Sequence, residues 1–285
     1  MKRIILGTMT WGSWGKQKSA AQMAKSIETA VAAGFTTFDH ADIYGGYTTE
    51  ETFGEAFELT QIARDQVQWI SKCGIQYPCE ARELPVKHYD YSPEHIHFSV
   101  DRSLQMLRTD YLDLLLLHRP SPLLDAEAVG STLQELRNSG KIKAVGVSNF
   151  TPQQIQLLQK YVDIEWNQIE CSLTHDTPLL DGSLDFHQHQ NIGTMAWSPL
   201  GSYFREDSEQ SQRLKTLFKD LCQSYQCTED QLLLAWLCKH PAQIYPVIGS
   251  TQAQRWQQAQ EATQIELSLT DWFLMWETGM GHKVP

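Results

Sequence analysis

Short runs rich in β-branched, aromatic and leucine residues alternate with helix-like segments along the 285-residue chain. Several runs are continuously apolar, which is typical of parallel strands covered on both faces. The segments between them carry helix-start signals, such as Ser19 before one helix and Thr151–Pro152 before another. Eight strands are predicted, at residues 3–9, 36–41, 67–73, 112–118, 144–149, 164–170, 193–199 and 245–250.

Eight strands that are each followed by a helix predict an α/β fold, the (β/α)₈ TIM barrel. No linker or change in composition divides the chain, so we expect a single domain over residues 1–285 with long βα loops. The segment at 271–277, DWFLMWE, predicts a C-terminal helix docked on the barrel; a wall of the substrate pocket is the alternative. Residues 74–92 are too long and irregular for a plain connector, and we interpret them as a lid; a surface insertion is the alternative.

Charge and cysteine usage narrow the class of partner. The formal net charge is −11 and the basic residues are scattered, which argues against nucleic acid. The charge pattern therefore favours a small-molecule partner. The N-terminal apolar stretch is too brief for a signal peptide and no run is long enough to span a membrane. Six cysteines without CxxC or metal spacing indicate a cytoplasmic protein with reduced thiols and no metal. We expect a monomer or a weak homo-oligomer.

Polar residues stand where the predicted strands end, which is where barrel enzymes place their chemistry. Asp39 ends the second strand, Lys72 the third and His118 the fourth, while Tyr44 lies on the loop after the second. The later strands end in a further polar or aromatic set, namely Ser148, Asn149, Gln168, Trp197 and Ser198. We expect all of these side chains to face one barrel mouth.

The first four side chains suit protonation of a carbonyl oxygen. A tyrosine with a pKa near 10 donates its proton slowly at neutral pH, and a nearby ammonium favours the phenolate. We therefore predict that Lys72 lowers the pKa of Tyr44 and that Asp39 keeps Lys72 charged. A histidine at position 118 is suited to donate a hydrogen bond to the oxygen as negative charge develops.

Six segments also carry a family resemblance, in chain order: FDHADIYGGYTTEETFGEA, WISKCG, DLLLLHRP, GKIKAVGVSNF, NQIE and MAWSPLG. They resemble the successive signatures of the aldo-keto reductases and cover nearly the whole chain. The pattern is most similar to the bacterial oxidoreductase branch, which is similar to the potassium-channel β-subunit-like reductases. The resemblance implies a catalytic tetrad of Asp39, Tyr44, Lys72 and His118, with Tyr44 as the general acid.

The resemblance further implies NADP(H) at the barrel mouth, with NAD(H) as the alternative cofactor. The chain has no G-x-G-x-x-G motif, which agrees with the lack of a Rossmann domain. Ser148, Asn149 and Gln168 would hold the nicotinamide carboxamide and Trp197 would stack on the ring. The remaining implied cofactor contacts are Ser198, Pro199, Leu200, Gly201, Gly249, Ser250, Thr251, Arg255 and Gln258.

Some positions depart from the family pattern. Gly249 lies where several members have a phosphate-binding lysine, Gln258 lies near the place of an asparagine that often contacts adenine, and Trp197 replaces a tyrosine or phenylalanine. Ser250 and Arg255 match positions that grip the adenosine 2′-phosphate, and arginine suits a phosphate through its planar fork.

The function predicted from these features is NADPH-dependent reduction of an aldehyde or ketone to an alcohol. Trp11 and Tyr77 are the predicted lining of the substrate pocket. The alternative is a nicotinamide-binding, redox-sensing regulatory subunit with slow turnover. A metal-dependent barrel hydrolase is disfavoured because the first strand does not end in an HxH motif, and the HQHQ run at 187–190 falls in a predicted helix.

Overall fold

A closed barrel of eight parallel strands forms the centre of the computed structural model, which describes residues 1–284. The strands are β1 (Ile5–Gly7), β2 (Thr37–Asp39), β3 (Gln68–Cys73), β4 (Ile75–Gln76), β5 (His88–Tyr89), β6 (Leu114–Leu117), β7 (Val145–Ser148), β8 (Trp166–Glu170), β9 (Gly193–Trp197) and β10 (Tyr245–Ile248). The barrel order is β1-β10-β9-β8-β7-β6-β3-β2, and β4 with β5 forms a separate antiparallel pair. Each of the eight predicted strands contains one barrel strand, so the predicted fold is confirmed.

Helices surround the barrel and follow its strands along the chain. They are α1 (Ala20–Ala32), α2 (Tyr44–Tyr47), α3 (Thr49–Glu58), α4 (Pro93–Leu107), α5 (Ala126–Asn138), α6 (Pro152–Leu158), α7 (Ser183–Gln190), α8 (Glu209–Tyr225), α9 (Glu229–Cys238), α10 (Ala253–Ala262) and α11 (Leu269–Met280). The predicted start signals act as expected: Ser19 forms a capping box with Gln22, and Thr151 forms one with Gln154 ahead of Pro152. None of the helices within residues 1–284 combines the length and apolarity that crossing a membrane requires.

The barrel interior is filled by six buried side chains, Ile5, Ile70, Leu114, Leu116, Met195 and Val247. Because side chains alternate across a strand, residues two positions further along point the same way. Lys72 lies two residues after Ile70, His118 two after Leu116, and Trp197 two after Met195. The packing of the interior therefore aims the strand-end residues at the C-terminal mouth.

The C-terminal helix α11 docks on α9 through a pair of tryptophans. The rings of Trp236 and Trp272 stack with centroids 4.9 Å apart and an interplanar angle of 7°. Each indole N–H donates to the other residue's carbonyl, at 3.2 Å and 3.0 Å. This confirms that the DWFLMWE segment is a docked helix.

Residues 74–92 leave the barrel mouth as the β4–β5 hairpin, in which Ile75 pairs with Tyr89. The segment returns at Tyr91, whose hydroxyl donates to the carbonyl of Arg119 at 2.6 Å and accepts its N–H at 3.1 Å. Gly74, at φ +103°, leaves room for this tyrosine, because a Cβ there would lie 2.0 Å from the Tyr91 ring. Both ends of the predicted lid are thus anchored beside the mouth; its motion stays a prediction.

Candidate active site at the barrel mouth

Four side chains converge at the C-terminal end of the barrel, and we call them the mouth tetrad. Lys72 Nζ donates to both carboxylate oxygens of Asp39 at 2.8 Å and to the hydroxyl oxygen of Tyr44 at 3.1 Å. The carbonyl of His40 accepts a further bond from this ammonium at 2.7 Å. The rings of Tyr44 and His118 meet edge to face with centroids 6.2 Å apart. The structure thus brings together three residues from strand ends, Asp39, Lys72 and His118, with Tyr44 from the loop after β2.

Tyr44 reaches Lys72 because the chain turns sharply after β2. Gly45 and Gly46 have φ angles of +64° and +67°, in the left-handed region that favours glycine. A Cβ on Gly45 would lie 2.5 Å from Oγ1 of Thr49, so the turn also has no space for a side chain there. The glycine pair therefore carries the phenol back over the end of the strand.

The lysine and the tyrosine of the tetrad both keep their protons at neutral pH. Burial alone would lower the pKa of Lys72, but the Asp39 carboxylate and the Tyr44 hydroxyl outweigh it, and the pKa of Lys72 is raised. Burial also raises the pKa of Tyr44, by more than Lys72 lowers it. The prediction that Lys72 brings the pKa of Tyr44 below its usual value is therefore wrong in net direction, although Lys72 acts in the predicted sense.

His118 is neutral in this setting. Burial lowers the pKa of His118 well below its usual value, and the charges of Lys72 and Arg119 lower it further. Its Nδ1 is buried, and within residues 1–284 that nitrogen has no hydrogen-bond partner. A neutral imidazole carries one N–H, so His118 can donate a single hydrogen bond without adding a charge to the mouth.

A chain of hydrogen bonds links the tetrad to Trp197. Gln168 Nε2 donates to Oδ1 of Asp39 at 2.9 Å, and the Gln168 carbonyl accepts the Ser148 hydroxyl at 2.9 Å. Asn149 Nδ2 donates to Ser148 Oγ at 2.9 Å, while its Oδ1 accepts Trp197 Nε1 at 3.0 Å. These four predicted cofactor residues therefore form one network with Asp39, and any group that binds them meets side chains already held in place.

A cavity of about 760 Å³ opens at Ser198, the residue after Trp197, and we call it the rim cavity. The ends of β9 and β10 and the helices α9 and α10 form its walls. Eight predicted cofactor residues line it: Ser198, Pro199, Leu200, Gly201, Gly249, Ser250, Arg255 and Gln258. The rim cavity and the tetrad network together form a continuous stretch of the barrel mouth.

Thr251 does not line the rim cavity. It faces a separate cavity of about 440 Å³ that is lined by Lys16, Lys18 and Trp256 among others. The chain turns between Ser250 and α10, where Trp256 Nε1 donates to the Ser250 carbonyl at 2.8 Å. The turn sends neighbouring side chains to opposite sides, so Thr251 lies apart from the other predicted cofactor residues, and its contact with the cofactor stays a prediction.

The prediction that Trp11 lines the substrate pocket is wrong. Trp11 is fully buried in the core, where its ring stacks on Trp256 with centroids 6.3 Å apart, so it cannot line an open pocket. The aromatic residue beside the tetrad is Trp14, whose ring lies 6.1 Å from Tyr44 and 5.3 Å from Tyr77. Tyr77 and Trp14 thus lie together beside Tyr44, and a role of Tyr77 in lining the substrate pocket stays a prediction.

Two arginines of the site are missing from the sequence-based set. Arg119 donates through Nη1 to the His118 carbonyl at 3.1 Å and to Ser148 Oγ at 3.2 Å. Arg205 lines the rim cavity and donates through Nη2 to the Gly201 carbonyl at 2.8 Å. In the sequence, only their positions point to the site: Arg119 follows His118 directly, and Arg205 lies four residues after Gly201. Further rim-cavity residues absent from that set are Phe204, Asp230, Leu234, Ile248 and Ala259.

The histidine run on α7 has a packing role. His187 is buried, its Nδ1 contacts Thr194 Oγ1 at 2.9 Å and its Nε2 contacts Asn167 Nδ2 at 3.0 Å. Burial lowers the pKa of His187 to about 4. In the part of the chain that the structure describes, no group of three His, Cys, Asp or Glu residues is arranged to hold a metal ion.

The known proteins to which this chain is similar are aldo/keto reductases and other oxidoreductases. Residues 3–275 match the family model described as the aldo/keto reductase family. The uncharacterized oxidoreductase YcsN of Bacillus subtilis is 39% identical over 291 residues, covering 99% of this chain and 96% of the relative. The 6-dehydroglucose reductase of Agrobacterium fabrum is 37% identical over 289 residues, covering 99% and 97%. A Klebsiella pneumoniae aldo/keto reductase solved with NADP and acetate superposes with a TM-score of 0.79 at 26% identity, covering 96% and 90%.

Proposed function

This chain belongs to the aldo/keto reductase family and is an NAD(P)H-dependent oxidoreductase, and from that premise we propose that it reduces an aldehyde or ketone to an alcohol with NADPH. The observation that carries the proposal is the ammonium of Lys72, held at 2.8 Å by Asp39 and at 3.1 Å from the Tyr44 hydroxyl. That geometry supports Tyr44 as the proton donor. When bound, NADPH supplies the hydride.

Tyr44 gives its proton to the carbonyl oxygen as that oxygen gains negative charge. Loss of the proton would leave a phenolate in a site where the phenol is only 9% exposed, which is costly without a compensating charge. Lys72 already donates a hydrogen bond to the oxygen that becomes negative, so the charge is compensated without any rearrangement. The raised pKa of Tyr44 keeps the phenol protonated until the substrate oxygen becomes basic enough to take the proton.

Asp39 and His118 divide the remaining tasks. The Asp39 carboxylate provides the counter-charge of the Lys72 ammonium and is itself oriented by Gln168. The ammonium therefore stays charged although Lys72 is only 1% exposed. His118, neutral and edge-on to Tyr44, orients the carbonyl oxygen by donating one hydrogen bond. Ser148, Asn149 and Gln168 would hold the nicotinamide carboxamide beside the half-exposed ring of Trp197.

The rim cavity fits the phosphates of a dinucleotide. Its cationic lining consists of Arg205 and Arg255, and Ser250 adds a hydroxyl donor. Gly201 has a φ of +55°, and a Cβ there would lie 1.9 Å from Oγ1 of Thr174, so the loop from Ser198 can follow this path only with glycine. The carboxylate of Asp230 suits a ribose hydroxyl or an amino group rather than a phosphate. A small carbonyl compound as partner and a cytoplasmic location complete the proposal.

The test combines binding with turnover. Quenching of the nine tryptophans is titrated with NADPH and with NADH, and the protein is then assayed with NADPH on a panel of aldehydes and ketones. We expect saturable binding of NADPH, weaker binding of NADH, and consumption of NADPH with at least one aldehyde. Tight binding without turnover on any carbonyl would refute the reductase and favour a regulatory nicotinamide-binding subunit.

A further inference from the structure

Arg119 follows His118 directly, and its backbone is held in one position. The hydroxyl of Tyr91 both accepts its N–H and donates to its carbonyl. The side chain is half-buried and turns back over the mouth, where Nη1 bonds to the His118 carbonyl and to Ser148 Oγ. The guanidinium carbon lies 5.5 Å from the centre of the Trp197 ring. Arg119 is therefore a fixed cation beside the tetrad.

One edge of this guanidinium is free. Both hydrogens of Nη1 are taken by its two acceptors, whereas Nε and Nη2 have no hydrogen-bond acceptor within residues 1–284. Nor does any carboxylate of those residues lie within 4.0 Å of Arg119. The Nε and Nη2 hydrogens of arginine form a planar fork that matches the two oxygens of a carboxylate. The free edge of Arg119 is thus the edge suited to bidentate anion binding.

The three arginines of the site stand in different places. Arg205 and Arg255 line the rim cavity, where phosphates would bind, and Arg119 does not line it. Arg119 instead acts on the tetrad, because its charge helps to lower the pKa of His118 and opposes the rise in the pKa of Tyr44. Its position therefore favours an anion on the reacting molecule over a phosphate of the cofactor.

We propose that Arg119 binds a carboxylate adjacent to the reacting carbonyl, so that the site prefers 2-oxo acids to neutral ketones of the same shape. This inference rests on the proposed reductase function and names its substrate class. In the balanced reaction, a 2-oxo acid, NADPH and a proton give a 2-hydroxy acid and NADP⁺. The hydride adds to the carbonyl carbon, Tyr44 protonates the oxygen, and solvent returns a proton to Tyr44. The carboxylate remains on Arg119 unchanged.

A substrate pair that differs only in charge tests the proposal. Phenylglyoxylate and its amide present the same ketone with a carboxylate or a neutral carboxamide, and kcat/KM is measured for both with the wild type and with Arg119→Met. For each protein, kcat/KM for the acid is divided by kcat/KM for the amide, and this ratio is compared between the two proteins. The different intrinsic reactivities of the two ketones cancel in that comparison. We expect the preference for the acid to fall by about 10- to 100-fold, because charge-assisted hydrogen bonds to the carboxylate are lost. Arg119→Lys keeps the charge without the planar fork, and its preference for the acid should lie between those of the wild type and Arg119→Met.

Arg205→Met is the matched control, since it removes an arginine from the rim cavity instead. It should raise the KM for NADPH with both substrates alike and leave their ratio unchanged. If Arg119→Met lowers kcat/KM equally for the acid and the amide, Arg119 acts on the chemical step and the carboxylate assignment is wrong. The assignment is also wrong if Arg119→Met weakens NADPH binding in the same proportion, because Arg119 then binds the cofactor.

A binding measurement that needs no turnover separates this inference from the proposed function. Phenylglyoxylate is titrated into protein saturated with NADP⁺, which has no hydride to give, and the dissociation constant is read from tryptophan fluorescence. We expect binding by the wild type and a loss of about tenfold or more in Arg119→Met. Equal affinities would overturn the Arg119 assignment, whereas carboxylate binding without reduction of any carbonyl would overturn the reductase alone.

Discussion

Lys72 and Arg255 carry the same charge at the two ends of the site, in opposite surroundings. Lys72 is 1% exposed, and its ammonium is bonded to Asp39, Tyr44 and a backbone carbonyl. Arg255 is exposed on α10, and no carboxylate of residues 1–284 lies within 4.0 Å of it. A buried cation is stable only when it is paired, whereas an exposed cation is solvated by water whether or not it has a partner.

This difference separates two kinds of constraint on the molecule. At the tetrad, charges are paired and hydrogen-bonded inside the barrel, so a substitution there should change both folding stability and the chemical step. Along the rim cavity, the cations stand on helices and loops outside the barrel, so a substitution should change ligand affinity with little effect on the fold. The four variants below test this division.

The largest effect on stability is expected from Asp39→Asn. The amide keeps the shape of the carboxylate but leaves the Lys72 ammonium buried without a counter-charge, which typically costs about 3–5 kcal/mol. Urea unfolding at neutral pH measures the loss. The matched control is Asp101→Asn, which breaks the exposed 2.6 Å pair with Lys141 and should cost at most about 1 kcal/mol. Similar losses in the two variants would contradict the comparison.

The pH dependence of the same variant has a definite sign. In the wild type the pKa of Lys72 is raised above 10.5, so its contribution to stability is present at neutral pH and is lost as the pH rises through the folded pKa. Without Asp39, we expect burial to lower the pKa of Lys72 below the unfolded value, because burial is the largest single effect on this group and acts in that direction. The unfolded state then binds more protons, and the free energy of unfolding should rise between neutral pH and the alkaline range. A flat profile would show that Lys72 is not the destabilising group.

The largest effect on turnover is expected from Tyr44→Phe. The ring stays under the Lys72 ammonium, which lies 4.9 Å from its centre, but the proposed proton donor is gone. We expect a loss of kcat of about 10² or more, with the dissociation constant of NADPH within about twofold of the wild type. Tyr47→Phe, which removes another buried hydroxyl three residues on, is the control and should reduce kcat far less. Activity of Tyr44→Phe within about twofold of wild type would remove Tyr44 from the acid role.

The tetrad end can be predicted from the sequence because strand phase determines where its residues point. Lys72 and His118 each lie two residues beyond a barrel-filling side chain, so their direction follows from the alternation of the strand. Arg119 is out of that phase, and it returns to the mouth only through its bonds to the His118 carbonyl and Ser148. No local sequence pattern predicts these two bonds, because the acceptors lie at the ends of two different strands, β6 and β7.

Loop residues lack this periodic guide. Trp11 and Trp14 both follow β1, and only the fold shows that the first enters the core and the second faces Tyr44. For the same reason, only the fold shows that Thr251 faces a different cavity from Ser250. The direction of the pKa shift of Tyr44 depends on how deeply the phenol is buried, and the sequence does not give that depth. The sequence gives only the sign of the Lys72 effect, which burial outweighs.

At the rim end, Arg255→Ala should weaken cofactor binding selectively. Arg255 lines the rim cavity, and an exposed arginine that pairs with the 2′-phosphate should contribute about a tenfold gain in affinity. NADH lacks this phosphate, so its dissociation constant should change by less than about twofold, and urea unfolding should show no loss beyond about 0.5 kcal/mol. Equal weakening of NADPH and NADH would place Arg255 at a part of the cofactor that both forms share.

The smallest effect, a gain, is expected from Gly249→Lys. Gly249 follows β10 at the edge of the rim cavity, where its carbonyl accepts the Thr10 hydroxyl at 3.0 Å. A Cβ there would meet no atom within 4 Å, so a side chain can enter without displacing its neighbours. An added ammonium near Ser250 and Arg255 should strengthen NADPH binding by about two- to fivefold at low salt, with the gain shrinking as ionic strength rises. Gly249→Gln supplies a neutral side chain of similar length, and a gain of the same size there would show that contact rather than charge is responsible. Unaltered affinity in Gly249→Lys, with stability preserved, would mean that the 2′-phosphate lies beyond the reach of position 249, and the adenosine end of the cofactor would have to be placed elsewhere along the cavity.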